Sequence, residues 1–292
     1  MDGVINIFKN AGMTSFDVVR IVKKAASTGK VGHTGTLDPE ACGVLPVCIG
    51  KGTKIIDYIM NSDKVYEVEF KLGIKTTTYD LEGDIIDEKD PSNIEEEEIL
   101  KSIYLFKGEY SQIPPMYSAI KQNGVRLYEL ARKGIEVERE GRLVKIYEIE
   151  DIKINNPYIK MKVTCSKGTY IRSLCYDIGE ALGVGATMTK LKRSKTSKFT
   201  EEESINIDNI NSENIENYII SIEDALDTYK KLIVLNRFSK LLINGVKVFD
   251  KRFTKDNVEL GKLYRVYDES GNFIGLGKSD HQGFKIEKLL IN

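Results

Sequence analysis

Residues 32–43 read GHTGTLDPEACG. Glycines at 32, 35 and 43 and a proline at 39 punctuate this run too often for a helix or a strand. It must be a tight loop, and the apolar VLPVCI that follows at 44–49 is a strand. An acid directly before proline is biased away from helical backbone, so Asp38 stands proud of the elements on either side. On the residues alone, Asp38 is either a turn-capping aspartate or a carboxylate presented for chemistry. The loop lacks the Gly-Lys-Ser/Thr ending of a phosphate-binding Walker loop. It also lacks the paired aspartates of aspartyl-phosphate phosphatases.

The flanking patterns are mixed. VINIF at 4–8 reads as a strand. Thr14 and Asp17 form a capping box ahead of Val18, Ile21, Val22 and Ala25, which predicts a helix to about Ala26. A short helix is expected over 54–60. Over 65–72, Tyr66, Val68, Phe70 and Leu72 alternate with Glu67, Glu69 and Lys71, as in a strand with one buried face. A helix is expected over 94–106, capped by Ser92 and Glu95. Asn123-Gly124 is a hairpin turn, and a helix over 127–133 should stop at Gly134. Strands return at 144–154 and 159–165. Ile171, Leu174, Ile178 and Leu182 mark a helix ending at Gly183. Residues 199–217 are polar and acidic, and beyond Lys230 short strands alternate with glycine turns, the pattern of a small barrel.

Composition narrows the chemistry. Two histidines, His33 and His281, exclude a histidine-rich metal site, and four scattered cysteines show no zinc spacing. Cys42, Cys48, Cys165 and Cys175 are expected as buried, reduced thiols. Catalysis must then rest on carboxylates, hydroxyls or amines. A net charge of −1 argues weakly against a nucleic-acid partner. The distribution of charge matters more than its sum, and KLKRSKTSK at 190–198 is a local basic run: a solvated strand or loop, or a phosphate contact. The start of the chain has no secretory-signal pattern and no apolar run is long enough for a membrane helix, so a cytoplasmic protein is expected.

GHTGTLDPEACGVLP closely resembles the catalytic loop of the TruB pseudouridine synthases, and the resemblance extends well beyond it. KNAGMTS at 9–15 is similar to that family's amino-terminal Lys-Pro-x-Gly segment, with Asn10 in place of the proline. DKVYEVEFKLG at 63–73 looks like its tyrosine-bearing strand. PPMYSAIKQNGVRLYELARKGIEV at 114–137, SKGTYIRSL at 166–174 and ATMTKLKRSKTSKF at 186–199 resemble further blocks. The C-terminal segment resembles an RNA-binding PUA domain, less specifically.

The resemblance implies an α+β fold: a mixed-sheet catalytic domain over 1–228, with an acidic connecting region at about 199–228, and a small PUA-like β-barrel over 229–292. It implies isomerisation of uridine to pseudouridine in the T-arm of tRNA, at the T-loop position conventionally numbered 55, without cofactor or metal. Asp38 would be the nucleophile, acting at ribose C1′ or on the uracil ring, much as glycosidases use a carboxylate. Arg172 would pair with it and Tyr66 would stack on the target uracil. Tyr170 and Leu191 would line the nucleotide pocket and His33 would handle the extruded nucleotide. Lys9 is grouped with these substrate contacts, in a supporting part. Lys192 and Arg193 are expected on the RNA phosphates. Asp80 is read as loop-structuring. A monomer with no obligate protein partner is expected. Two other readings share the fold: a guide-RNA-dependent pseudouridine synthase and a non-catalytic RNA-binding or tRNA-chaperone protein. A carboxylate-based nucleoside hydrolase is a third, but it would need a second acid at a recognisable position.

Overall fold

The alternating and helical periods of the chain become, in order, strands and short helices that build one large sheet and one small one. The computed structural model describes residues 1–291; Asn292, the last residue of the expected 229–292 unit, lies outside the described residues. Strand β1 (Gly3–Lys9) leads to α1 (Ser15–Ala25). The predicted capping box is formed: the Thr14 hydroxyl accepts from the Asp17 backbone N–H, and the Thr14 N–H donates to the Asp17 carboxylate at 2.8 Å. Strands β2 (Val31–His33) and β3 (Cys42–Ile49) trim the acid-bearing loop to 34–41. A 3-10 turn (Gly50–Ile55) and α2 (Ile56–Met60) precede β4 (Lys64–Leu72), which buries Tyr66, Val68, Phe70 and Leu72 as the alternation predicts.

Next come β5 (Ile74–Thr76) and β6 (Ile85–Glu88), a hairpin whose connection carries Asp80. Helix α3 (Glu96–Tyr104) starts later than expected. Ser92 is held in a local turn by Asp90, so the cap falls to Glu95 with Glu98. Strand β7 (Gly108–Gln112) is followed by the small hairpin β8 (Lys121–Gln122) and β9 (Val125–Arg126), then α4 (Leu127–Ala131). Asn123 and Gly124 both take positive φ, 52° and 83°, as a two-residue turn between paired strands requires. Strands β10 (Arg142–Asn155) and β11 (Tyr158–Cys165) precede α5 (Ile171–Ala181), which stops before Gly183 at φ 75°. The first unit closes with β12 (Ala186–Thr196), β13 (Phe199–Thr200), β14 (Ile205–Asn206) and α6 (Ile222–Ala225). Beyond it lie β15 (Lys230–Val234), α7 (Asn236–Ile243), β16 (Leu263–Asp268), β17 (Phe273–Asp280) and β18 (Gly283–Leu289).

The large sheet runs β14-β1-β3-β12-β4-β11-β10-β7, with β2 on β3 and β13 on β12. It is mixed: β1 with β14 and β12 with β3 are parallel, the remaining pairs antiparallel. Val18 and Val22 of α1, Ile99 and Ile103 of α3, and Leu174 and Ile178 of α5 bury against Ile5, Ile7, Phe70 and Val163 of its strands. The acidic stretch after Phe199 is polar in composition, yet Ile207, Ile210 and Ile215 reach that same core. The C-terminal sheet runs β15-β16-β17-β18 over a core of Leu232, Val266, Phe253 and Phe284. Isolated bridges from Val234 to Thr254 and from Val248 to Phe284 carry its pairing around that core. Leu276 and Leu290 also pack with Val4, Val44 and Phe199, so an apolar seam joins the two sheets. All four cysteines are free thiols, with Cys42 half-buried and the others buried. Among the described residues, no helix is long and apolar enough to cross a membrane.

Candidate active site

Every anchor of the 34–41 loop can be traced to a particular residue. Thr34 donates through both N–H and hydroxyl to the Pro46 carbonyl. The Ser15 hydroxyl, at the start of α1, donates to Leu37 O at 3.0 Å and accepts from Leu37 N at 2.8 Å, gripping the residue before Asp38 from both sides. Lys9 is fully buried, and its ammonium donates to the carbonyls of Asn10, Met13 and Pro39 at 2.9, 2.7 and 2.9 Å. An ammonium has three protons, so none remains for substrate. Lys9 is therefore a brace for the loop, which corrects its place among the substrate contacts. Asn10 recovers the rigidity a proline would have given. Its amide donates to Asp208 at 2.8 Å, and its carbonyl accepts from Asn206 at 3.0 Å.

The loop presents Asp38 to Arg172, one residue into α5. Arg172 Nε lies 3.0 Å from Asp38 Oδ2, and Nη2 donates to Oδ1 at 3.1 Å, a forked pair that aims the carboxylate. Nη2 also donates to Tyr117 O at 2.9 Å, while Nη1 faces Thr78 O and Asp80 Oδ2, each at 3.3 Å. All three nitrogens of a buried guanidinium are thus engaged. Asp80 is buried as well, accepting from the Thr78 hydroxyl and from Glu82 N. It was read as structuring its loop; it is also the second carboxylate on Arg172. Asp38 differs from Asp80 in one decisive respect: its side chain is 34% exposed against 10%. Burial raises the Asp38 pKa, the nearby charge of Asp80 pushes the same way, and Arg172 and Lys9 oppose them.

Asp38 opens into a cleft of ≈1080 Å³. That is at or above the upper end of pockets for small ligands, roughly 300–1,000 Å³. Its floor is β4, β11 and β12, through Val68, Met161, Met188 and Leu191. Leu191 and Lys192 line the cleft. Tyr66 sits in the core at 8% exposure, one inward-facing position from Val68, and Tyr170 is half-buried at the start of α5. Burial, with a contribution from the charge of Asp38, raises both phenols' pKa values. His33 is on β2 outside the cleft. Its Nδ1 accepts from Gly35 N at 3.2 Å, and burial, then the charge of Arg193, holds its pKa below the ordinary value.

The basic run divides against expectation. Arg193 is 1% exposed, with Nε on Val44 O at 2.8 Å and Nη2 on Gly35 O at 3.2 Å, so it cannot meet a phosphate. Lys192 is shared between Glu67 at 3.2 Å and Glu201 at 2.8 Å, and Lys160 and Lys190 both pair with Glu69. Lys153 and Lys162 also line the cleft, and among the described residues neither makes an ion pair. Composition and spacing gave no signal for these two. They belong to β10 and β11, which reach the cleft only through the order of the sheet.

Residues 23–171 match the family model described as TruB family pseudouridylate synthase, N-terminal domain. Residues 172–229 match the tRNA pseudouridylate synthase B C-terminal domain. The chain is 64% identical over 292 residues to tRNA pseudouridine synthase B of Clostridium perfringens (strain ATCC 13124), covering 100% of this chain and 99% of the relative. It is 58% identical over 291 residues to tRNA pseudouridine synthase B of Clostridium tetani, covering all of both. Among solved structures, a chain of a Cbf5-Nop10-Gar1 complex is similar at a TM-score of 0.74 and 28% identity, over 98% of this chain and 84% of that one.

Proposed function

The chain belongs to the TruB family of pseudouridylate synthases, and on that premise we propose that it isomerises uridine to pseudouridine in the T-loop of tRNA, at the position conventionally numbered 55, with Asp38 as nucleophile. The observation that carries the assignment of Asp38 is its forked pair with Arg172 at the edge of the cleft. A carboxylate held on a buried arginine, yet one-third open, is aimed and still able to reach a reacting carbon.

Uridine and pseudouridine are isomers, so the bonds balance within one nucleotide. The C1′–N1 bond breaks and a C1′–C5 bond forms; the proton on C5 leaves and N1 ends up protonated. Asp38 would supply the electron pair that holds the separated halves, at C1′ or on the ring, until the base has turned. The nucleotide must first leave its stack, which costs a few kcal/mol; RNA loops present bases that splay readily. Val68, Met161, Met188 and Leu191 would give the flipped base an apolar wall. Tyr66, next to Val68 on the inward face of β4, would supply the ring that stacks on that base.

The near-complete mutual coverage with proteins named tRNA pseudouridine synthase B supports an enzyme acting on tRNA without a guide. We take residues 229–292 as an RNA-binding unit that grips tRNA away from the cleft, and the enzyme as a cytoplasmic monomer. Incubation with tRNA carrying tritium at uracil C5, with no other RNA present, should release the label to water as C5 is rejoined to the sugar. Retention of all label would refute the reaction.

Two further outcomes arise from the charges at the site. Asp38 must be ionised to act, so kcat/KM should fall as pH drops through its pKa. Asp80 raises that pKa and competes for Arg172. Asp80→Asn should therefore move the acid limb of the pH profile to lower pH; a limb that stays put or moves up would show that the two carboxylates are not coupled. Replacing Lys153 and Lys162 by alanine should weaken tRNA binding and reduce its slope against log salt by about 1 per lysine. Lys192→Ala should change that slope less, because two glutamates already hold its charge. Filter binding across a salt series separates these results; the opposite ranking would restore Lys192 as a phosphate contact.

A further inference from the structure

Arg193 lies at the middle of the large sheet. On β12 it is opposite Gly43 of β3 on one side and Tyr66 of β4 on the other. The β12–β4 register breaks at Met188/Lys190 and again at Arg193/Lys195. Between those breaks the register is continuous from Lys190 to Arg193, so alternation puts Arg193 on the face of Leu191, Val68 and Tyr66, in the interior of a run that otherwise reads as surface. Its guanidinium makes no ion pair among the described residues. Instead it donates to Gly35 O, near the start of the acid-bearing loop, and to Val44 O, just past its end. One planar fork closes the loop with Asp38 between its prongs. The backbones on which the fork rests also meet closely: a Cβ on Gly43 would lie 2.3 Å from Arg193 O, and Gly43 has φ 111°.

Burying a cation without a carboxylate is unfavourable, and an apolar side chain of similar volume would avoid the cost. What the apolar side chain could not do is tie both ends of the loop to the strand that carries Leu191. The charge of Arg193 also reaches Tyr66, opposing the burial that raises its phenol. We propose that Arg193 is a positioning residue for the isomerisation, holding the 34–41 loop, and with it Asp38, in register with Tyr66 across the β3–β12–β4 seam without touching RNA. This rests on the pseudouridine synthase reading of the site.

The test compares Arg193→Lys and Arg193→Gln with the parent on unmodified tRNA. It measures kcat at saturation, the Kd for tRNA, and the salt slope of binding. Each kcat is expressed per folded molecule, from the unfolding transition, so lost stability alone does not move it. Lysine keeps the charge but presents a single nitrogen in place of Nε and Nη2, so it cannot hold Val44 O and Gly35 O at the spacing the planar fork sets. Misplacing a catalytic group by about 1 Å can cost roughly a hundredfold. The expected result is a kcat lowered at least about tenfold in the lysine variant and about a hundredfold in the glutamine variant, with Kd and salt slope unchanged. An unchanged kcat in the folded lysine variant would overturn the proposal. Weaker binding with a smaller salt slope would overturn it too, by making Arg193 an RNA contact. If the glutamine variant does not fold, the charge-preserving lysine variant decides alone. A parent that forms no pseudouridine would instead refute the underlying reading.

Discussion

Asp38→Asn is expected to lower kcat by on the order of 10⁴-fold or more while leaving the Kd for tRNA within a few fold of the parent. The change preserves shape. The amide oxygen can still accept from Arg172, and the loop keeps its grips at Thr34, Leu37 and Pro39, none of which involves the Asp38 side chain. What disappears is the anionic oxygen able to attack or to hold an electron-poor carbon. Single-turnover assay and binding on the same preparation separate the two effects. Turnover close to the parent would remove Asp38 as nucleophile; loss of binding in step with turnover would make it a binding residue.

Arg172→Met should be the most destabilising single change at the site, by about 3 kcal/mol or more, and should abolish turnover. Methionine fills much of the volume but leaves Asp38 and Asp80 facing one another with no cation between them. Asp80 bears most of the cost, being nearly enclosed; solvent relieves part of the burden on Asp38. The carbonyls of Thr78 and Tyr117 lose their donor as well. The pH dependence has a definite sign. Burial already raises the Asp38 pKa, and without the opposing charge of Arg172 that carboxyl binds its proton still more tightly in the folded chain than in the unfolded one. The variant's deficit should therefore shrink as pH falls from about 7 to about 5 and grow on the return. Urea unfolding of parent and variant at both pH values measures this. A deficit that is small, or indifferent to pH, would contradict the account of a shared counter-ion.

Much of this architecture was legible because its causes are local. The Thr14–Asp17 box, the alternation from Tyr66 to Leu72 and the Asn123-Gly124 turn each depend on residues a few positions apart, and each formed where the pattern put it. The acid-bearing loop was legible for the same reason. Failures came where a partner outside the pattern decided the outcome. Arg193 looked like surface because it lies in a basic run, and only its place opposite Tyr66 of β4 and Gly43 of β3 reveals that it points inward. Lys192 looked free because Glu67 lies on another strand. Asp80 meets Arg172 through folding of segments far apart in sequence, and no local pattern announces that pair. The α3 cap moved because Asp90 had already claimed Ser92.

The most direct test of the central claim is to map pseudouridine in an unmodified tRNA transcript after incubation with the protein and no other RNA. Chemical derivatisation followed by primer extension gives the position. The account predicts a single stop in the T-loop with the parent and none with Asp38→Asn. No stop with the parent despite tight binding, or the same stop with both proteins, would contradict it.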